Sequence, residues 1–171
     1  MSAILPGLTI SDDYLLRLSR ENPGWQFERS SEGSLFVSPT TSLNGPRNVA
    51  LSVQLSTWSA RTNFGKVFDS SSGFTMPDGA VLSPDGSCIR QDRWDGLTPE
   101  QQDSYAPVCP DICIEIASKT DSWKKVRDKI DRYVAYGARY ALAINPLTRE
   151  IYERGSAVHG LELDTSAIID A

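Results

Sequence analysis

Along Cys109-Pro-Asp-Ile-Cys-Ile-Glu-Ile-Ala-Ser118, apolar and polar positions alternate with a period of two. Side chains of a strand point to opposite faces in turn, so Ile112, Ile114 and Ile116 share one face and Asp111, Cys113, Glu115 and Ala117 share the other. A β-branched run opened by Pro110 and closed by Ser118 predicts a buried strand. A carboxylate in its middle, Glu115, is rarely buried without a partner or a metal. Glu115 therefore either reaches solvent at the rim of a sheet or belongs to a site.

The same patterning divides the rest of the chain. Ser11 ahead of Asp12 and Asp13 is an N-cap with acids in the first turn, predicting a short helix that ends near Asn22-Pro23. Residues 25–29 and 34–37 flank Ser30-Ser31-Glu32-Gly33 and predict an N-terminal β-hairpin, which Ser38-Pro39-Thr40-Thr41 then breaks. Pro46 at a helix start, with Leu51, Leu55 and Trp58 at i, i+4 and i+7, predicts an amphipathic helix over 46–62. Short strands follow at 66–68, 73–75, 80–82 and 87–89, read as a continuation of the sheet. Thr98-Pro99 with Gln101 approaches a capping box and predicts a short helix. After the central strand, Asp121 or Ser122 can cap a helix running to about Tyr136, with Gly137 placed to end it. Residues 140–144 are a second buried strand, Asn145-Pro146 a turn, and 150–153 a half-exposed strand. The order strand, helix, strand over 109–144 makes the first two strands parallel through a crossover. The fold class is therefore α/β in the sense of α+β with a mixed sheet: a central mixed β-sheet flanked by helices, within one domain spanning 1–171.

Composition adds bounds. A chain of 171 residues with 40% hydrophobic and 23% charged content is ordinary for a globular protein and buries roughly two-thirds of its unfolded surface without staples. No apolar run approaches the roughly 20 residues of a membrane span, and the N-terminus lacks the basic and apolar segments of an export signal, which places the protein in the cytoplasm with no membrane partner. Three cysteines without a CxxC pair and a single histidine, His159, argue against zinc and a disulfide framework. The net charge of −5 opposes broad, non-specific nucleic-acid affinity. Between Lys119 and Arg132, however, six basic residues outnumber three acidic ones, a local surface suited to phosphate or equally to a solvated helix face.

A metal at Glu115 needs a second carboxylate. Asp111 lies about 13 Å away along the same strand, too far to share a cation, and reads as a strand-entry residue capping backbone amides. Two Pro-Asp pairs come earlier. Pro77-Asp78-Gly79 is a turn that calls for aspartate on backbone grounds, whereas Pro84-Asp85 leads directly into the strand at 87–89.

Pro84-Asp85 followed, some thirty residues later, by Glu115 on a hydrophobic strand resembles the PD-(D/E)xK nuclease core, with Ala117 where that core carries its lysine. The longer series is similar to the Uma-two family of restriction-endonuclease-like proteins. It comprises Ser83-Pro84-Asp85-Gly86-Ser87, Leu97-Thr98-Pro99-Glu100-Gln101, Cys109 through Glu115, Lys129-Ile130-Asp131-Arg132-Tyr133, and Tyr136-Gly137-Ala138-Arg139. The resemblance covers roughly Asn22 to Tyr152, with Ser118-Lys119-Thr120-Asp121 replacing the family's Ser-Pro-Ser-Asp. It implies a restriction-endonuclease-like core in which the lysine has moved to the following helix, at Lys129. On a helical wheel Lys129 falls about 60° to one side of Val126, bordering an apolar stripe of Val126, Ile130, Tyr133, Val134 and Trp123, while Lys125 lies further out. The resemblance further implies Asp85, Glu115 and the carbonyl of Ile116 as ligands of Mg²⁺ or Mn²⁺, Lys129 as the catalytic cation, and Glu28 as an accessory acid. The implied activity is metal-dependent hydrolysis of DNA phosphodiester bonds; the alternative is a catalytically inactive nuclease-like fold that binds DNA or protein. Cutting both strands of a duplex is simplest for a homodimer.

Overall fold

The computed structural model describes the backbone of residues 3–5 and the whole of residues 10–39 and 44–171. Ser11 caps helix α1 (Asp12–Glu21) by accepting from the Tyr14 amide at 3.2 Å. The hairpin strands β2 (Trp25–Arg29) and β3 (Leu35–Pro39) pair antiparallel, and β1 (Ala3–Leu5) adds to β3. Thr40 and Thr41, read as the strand's end, lie outside the described residues. Helix α2 (Gly45–Thr62) carries Pro46 in its first turn, buries Leu51, Leu55 and Trp58, and ends on Asn63 in the left-handed conformation, φ 51°.

The four short strands that follow do not continue a single sheet. Strands β5 (Phe74–Thr75) and β6 (Val81–Leu82) join the hairpin in one five-stranded sheet, ordered β1-β3-β2-β6-β5. Strands β4 (Gly65–Asp69) and β7 (Gly86–Arg90) join β8 (Ile112–Ile116), β9 (Tyr140–Ile144) and β10 (Ile151–Gly155) in a second, ordered β10-β9-β8-β7-β4. Two helical turns escaped the sequence pattern: α3 (Gln91–Asp95) and α6 (Thr165–Ile169), both only five residues long. Between them α4 (Pro99–Gln102) carries the full Thr98/Gln101 capping box.

The second sheet is mixed. β8 runs antiparallel to β7 and parallel to β9, and α5 (Trp123–Ala135) makes the crossover between the parallel pair. Gly137, at φ 105°, follows the helix end as expected. The two faces of β8 separate as its alternation predicts. Ile112, Ile114 and Ile116 pack with Leu51, Leu55 and Trp58 of α2 and with Ile168 and Ile169 of α6. Cys113 is buried in one cluster with Ile130 and Tyr133 of α5, Phe74 and Leu82 of the first sheet, and Met76 and Ala80 from the connection between β5 and β6. Glu115 shares that second face, so the first sheet and α5 together wall in the one carboxylate of the central strand.

Candidate active site

Asp85 immediately precedes β7, and the ladder Gly86↔Ile114, Ser87↔Cys113 fixes its register against β8. Carried one position further, that register sets Asp85 opposite Glu115, and residues opposed across an antiparallel pair share a face with Cβ atoms about 5 Å apart. Asp85 Oδ2 accepts from the Ile116 amide at 2.7 Å, which ties the carboxylate to the end of β8. The pair therefore stands at the ends of two central strands and not at a sheet edge. Asp78 takes no part in it: one oxygen accepts from the Ala80 amide and the other from the Tyr136 hydroxyl. Asp111 likewise has the structural role read from the sequence, accepting from the Arg90 amide and from Arg93, both at 2.9 Å.

Lys129 reaches Glu115 from α5. Its Nζ lies 2.8 Å from Glu115 Oε1 and 2.8 Å from Glu28 Oε1. Ile130 and Tyr133 of the same helix are fully buried, so Lys129 borders the buried face as its wheel position requires, while Lys124, Lys125 and Arg127 are exposed. Glu28 is placed by β2 of the first sheet and also accepts from the Ser83 amide at 2.6 Å. It thus links the Pro84-Asp85 segment to the lysine.

One contact escaped the sequence analysis. The hydroxyl of Tyr133, read there as part of an apolar stripe and of the Lys129–Tyr133 motif but given no role of its own, donates to Glu115 Oε1 at 2.7 Å. The signal was present in the residue type, because a buried tyrosine hydroxyl needs a partner.

Burial dominates the electrostatics. It pushes Asp85 up to about 6, against the Ile116 amide and Lys129, which favour the charged form. It pushes Glu115 up to about 8, with Lys129 opposing and Asp85 and Glu28 adding to the rise. For Lys129 burial alone would lower the value, but Glu115 and Glu28 outweigh it and hold the ammonium above the ordinary lysine range. Among the described residues no three His, Cys, Asp or Glu side chains gather as a metal-ligand set. The ammonium between Glu28 and Glu115 supplies positive charge there instead. The donors that the ladder sets opposite each other, Asp85 and Glu115, are hard oxygens with no sulfur or imidazole among them, a chemistry that fits Mg²⁺ or Mn²⁺.

The chain is similar to a crystal structure described as a "putative nuclease belonging to DUF820" from Anabaena variabilis, with a TM-score of 0.64 at 16% identity, over 91% of this chain and 97% of that one. At that identity the likeness speaks for the fold, which is restriction-endonuclease-like. No curated protein matches the chain. Residues 11–160 match the family Uma2, described as "Putative restriction endonuclease", and the match takes in Glu28, Asp85, Glu115 and Lys129, so this chain belongs to the Uma2 family.

Proposed function

We propose that the protein is a metal-dependent endonuclease that hydrolyses DNA phosphodiester bonds, with Asp85, Glu115 and Lys129 at its reactive centre. The observation that carries this reading is the Lys129 ammonium 2.8 Å from Glu115, delivered by a helix to the strand end where Asp85 is also fixed. A Mg²⁺ or Mn²⁺ ion held by Asp85, Glu115 and the carbonyl of Ile116, with Glu28 as an accessory acid, would supply an activated water and charge stabilisation at the phosphate. Lys129 keeps its proton at neutral pH and offsets the charge that develops on the phosphoryl oxygens. The Ile116 amide orients Asp85, and Glu28 holds both Lys129 and the segment leading to Asp85 in place. Exposed Lys119, Lys124, Lys125 and Arg127 lie on or just ahead of the helix that bears Lys129, where they would meet a nucleic-acid backbone. Two such sites related by a two-fold axis would address both strands of a duplex, which favours a homodimer.

A second reading, a nuclease-like fold that binds without cutting, has one observation in its favour: the Lys129 ammonium already occupies the space between Glu28 and Glu115. Incubation of wild type and Glu115→Ala with duplex DNA, with and without Mn²⁺, separates the two. Cleavage by wild type alone, and only with metal, supports the endonuclease. DNA retention with no cleavage at any metal concentration selects the binding module, and preferential cleavage of an RNA duplex would move the substrate from DNA to RNA.

A further inference from the structure

Tyr133 has no exposed surface and is the largest of the fully buried side chains among the described residues. Its neighbours in the core are apolar, among them Ile130, Phe74 and Met76, and a hydroxyl in such surroundings is unfavourable unless it is hydrogen-bonded. Its partner is Glu115 Oε1, at 2.7 Å. Lys129 comes to the same oxygen at 2.8 Å. Both donors of Glu115 thus sit on Oε1, which leaves Oε2 as the oxygen free to meet a cation. Asp85 is arranged alike, its Oδ2 engaged by the Ile116 amide.

A glutamate carboxylate rotates freely about its last torsion, which is broad and two-fold. Lys129 cannot fix that rotation alone, because it is a point charge on a flexible stem and is shared with Glu28. Tyr133 has a rigid ring that is fully buried in the core. We propose that Tyr133 is a positioning residue: its hydroxyl anchors Oε1 and so presents Oε2 of Glu115 to a divalent cation shared with Asp85. The inference rests on the reading of Glu115 as a metal ligand.

Calorimetric titration of the full chain with Mn²⁺ tests it, comparing wild type with Tyr133→Phe, which keeps the ring and removes only the hydroxyl. Groups that orient a metal ligand are worth about 10–100-fold in metal affinity, and that is the loss expected. The metal-free melting temperature should move by no more than about 5 °C, because the ring still fills its place and Lys129 still donates to Oε1. Equal Mn²⁺ affinities in the two proteins overturn the positioning role while leaving Glu115 a ligand. A loss of affinity matched by general unfolding of the metal-free variant also overturns it, since the hydroxyl is then structural. Absence of Mn²⁺ binding in wild type removes the reading of Glu115 itself, and the inference with it.

Discussion

A lysine that leaves the strand for a neighbouring helix must approach the same carboxylate from a different direction, and residue chemistry decides whether it can. Ala117, 5% exposed, has no cation to offer. Lys129 offers one from a helix position beside the fully buried Ile130 and Tyr133, where its stem can lie along the core while its ammonium meets two acids. Lys129→Met keeps the stem and removes the charge, so it should cut the cleavage rate by roughly 10²-fold or more. Lys125→Met, one turn earlier and exposed, should change it little. Single-turnover cleavage measured for both variants checks this; equal losses would mean that the helix contributes only a diffuse positive surface. The metal-free Lys129→Met protein should also lose stability, because Glu28 and Glu115 then lack the charge that compensates their burial.

At the level of elements, the site depends on how closely β7 approaches α2. Gly86 follows Asp85, and a Cβ there would come within 2.7 Å of Leu51 Cδ2 and 3.0 Å of Leu55 Cδ1, both on fully buried residues. Gly86→Ala should therefore destabilise the fold by about 1–3 kcal/mol through overpacking and shift Asp85 with the strand. Denaturant unfolding gives the first quantity, and a fall in Mn²⁺ affinity reports the second. How much of this was legible in the sequence follows from the same physics. Alternation over 112–116 gave both the strand and its two faces, and the Pro84-Asp85 and Pro77-Asp78 pairs were separable because only one ran straight into a strand. Strand partners were not legible: the short runs at 74–75 and 81–82 carry no information on which sheet will accept them, and they joined the N-terminal hairpin. Helices of five residues, such as Gln91–Asp95 and Thr165–Ile169, are too short for a hydrophobic period to emerge. The role of Glu28 was half visible, as an acid on the first hairpin strand, but its bond to the Ser83 amide depends on β6 pairing with β2 in the first sheet, a partner the sequence does not disclose.

For the molecule as a whole, the site sets how stability responds to pH. Burial raises Asp85 from 3.8 to about 6 and raises Glu115 from 4.5 towards 8. In the unfolded chain both groups release their protons near the ordinary values. Between those values and the raised ones the folded state binds more protons than the unfolded state, so stability falls as pH rises through the interval. Acids with lowered values, including Asp78, Asp92 and Asp170, act with the opposite sign but below about pH 4, and Lys129 acts only above the ordinary lysine range. From about pH 5 to 8 the site carboxylates therefore set the trend, and the metal-free protein should melt at a lower temperature at pH 8 than at pH 5. Asp85→Asn retains an oxygen for the Ile116 amide but cannot ionise. At pH 8 it should be more stable than wild type by about 1–3 kcal/mol, the scale of a shift of one to two pH units. Near pH 4 the two should converge. Thermal melts in a chelator across this range test both statements, and a wild-type melting temperature that climbs from pH 5 to 8, or an Asp85→Asn variant that tracks wild type throughout, would contradict them. Mn²⁺ should reverse the trend in wild type, since a cation binds the deprotonated carboxylates and stabilises the folded state by mass action as they ionise. Asp85→Asn, lacking one of the two charges, should show little of that reversal.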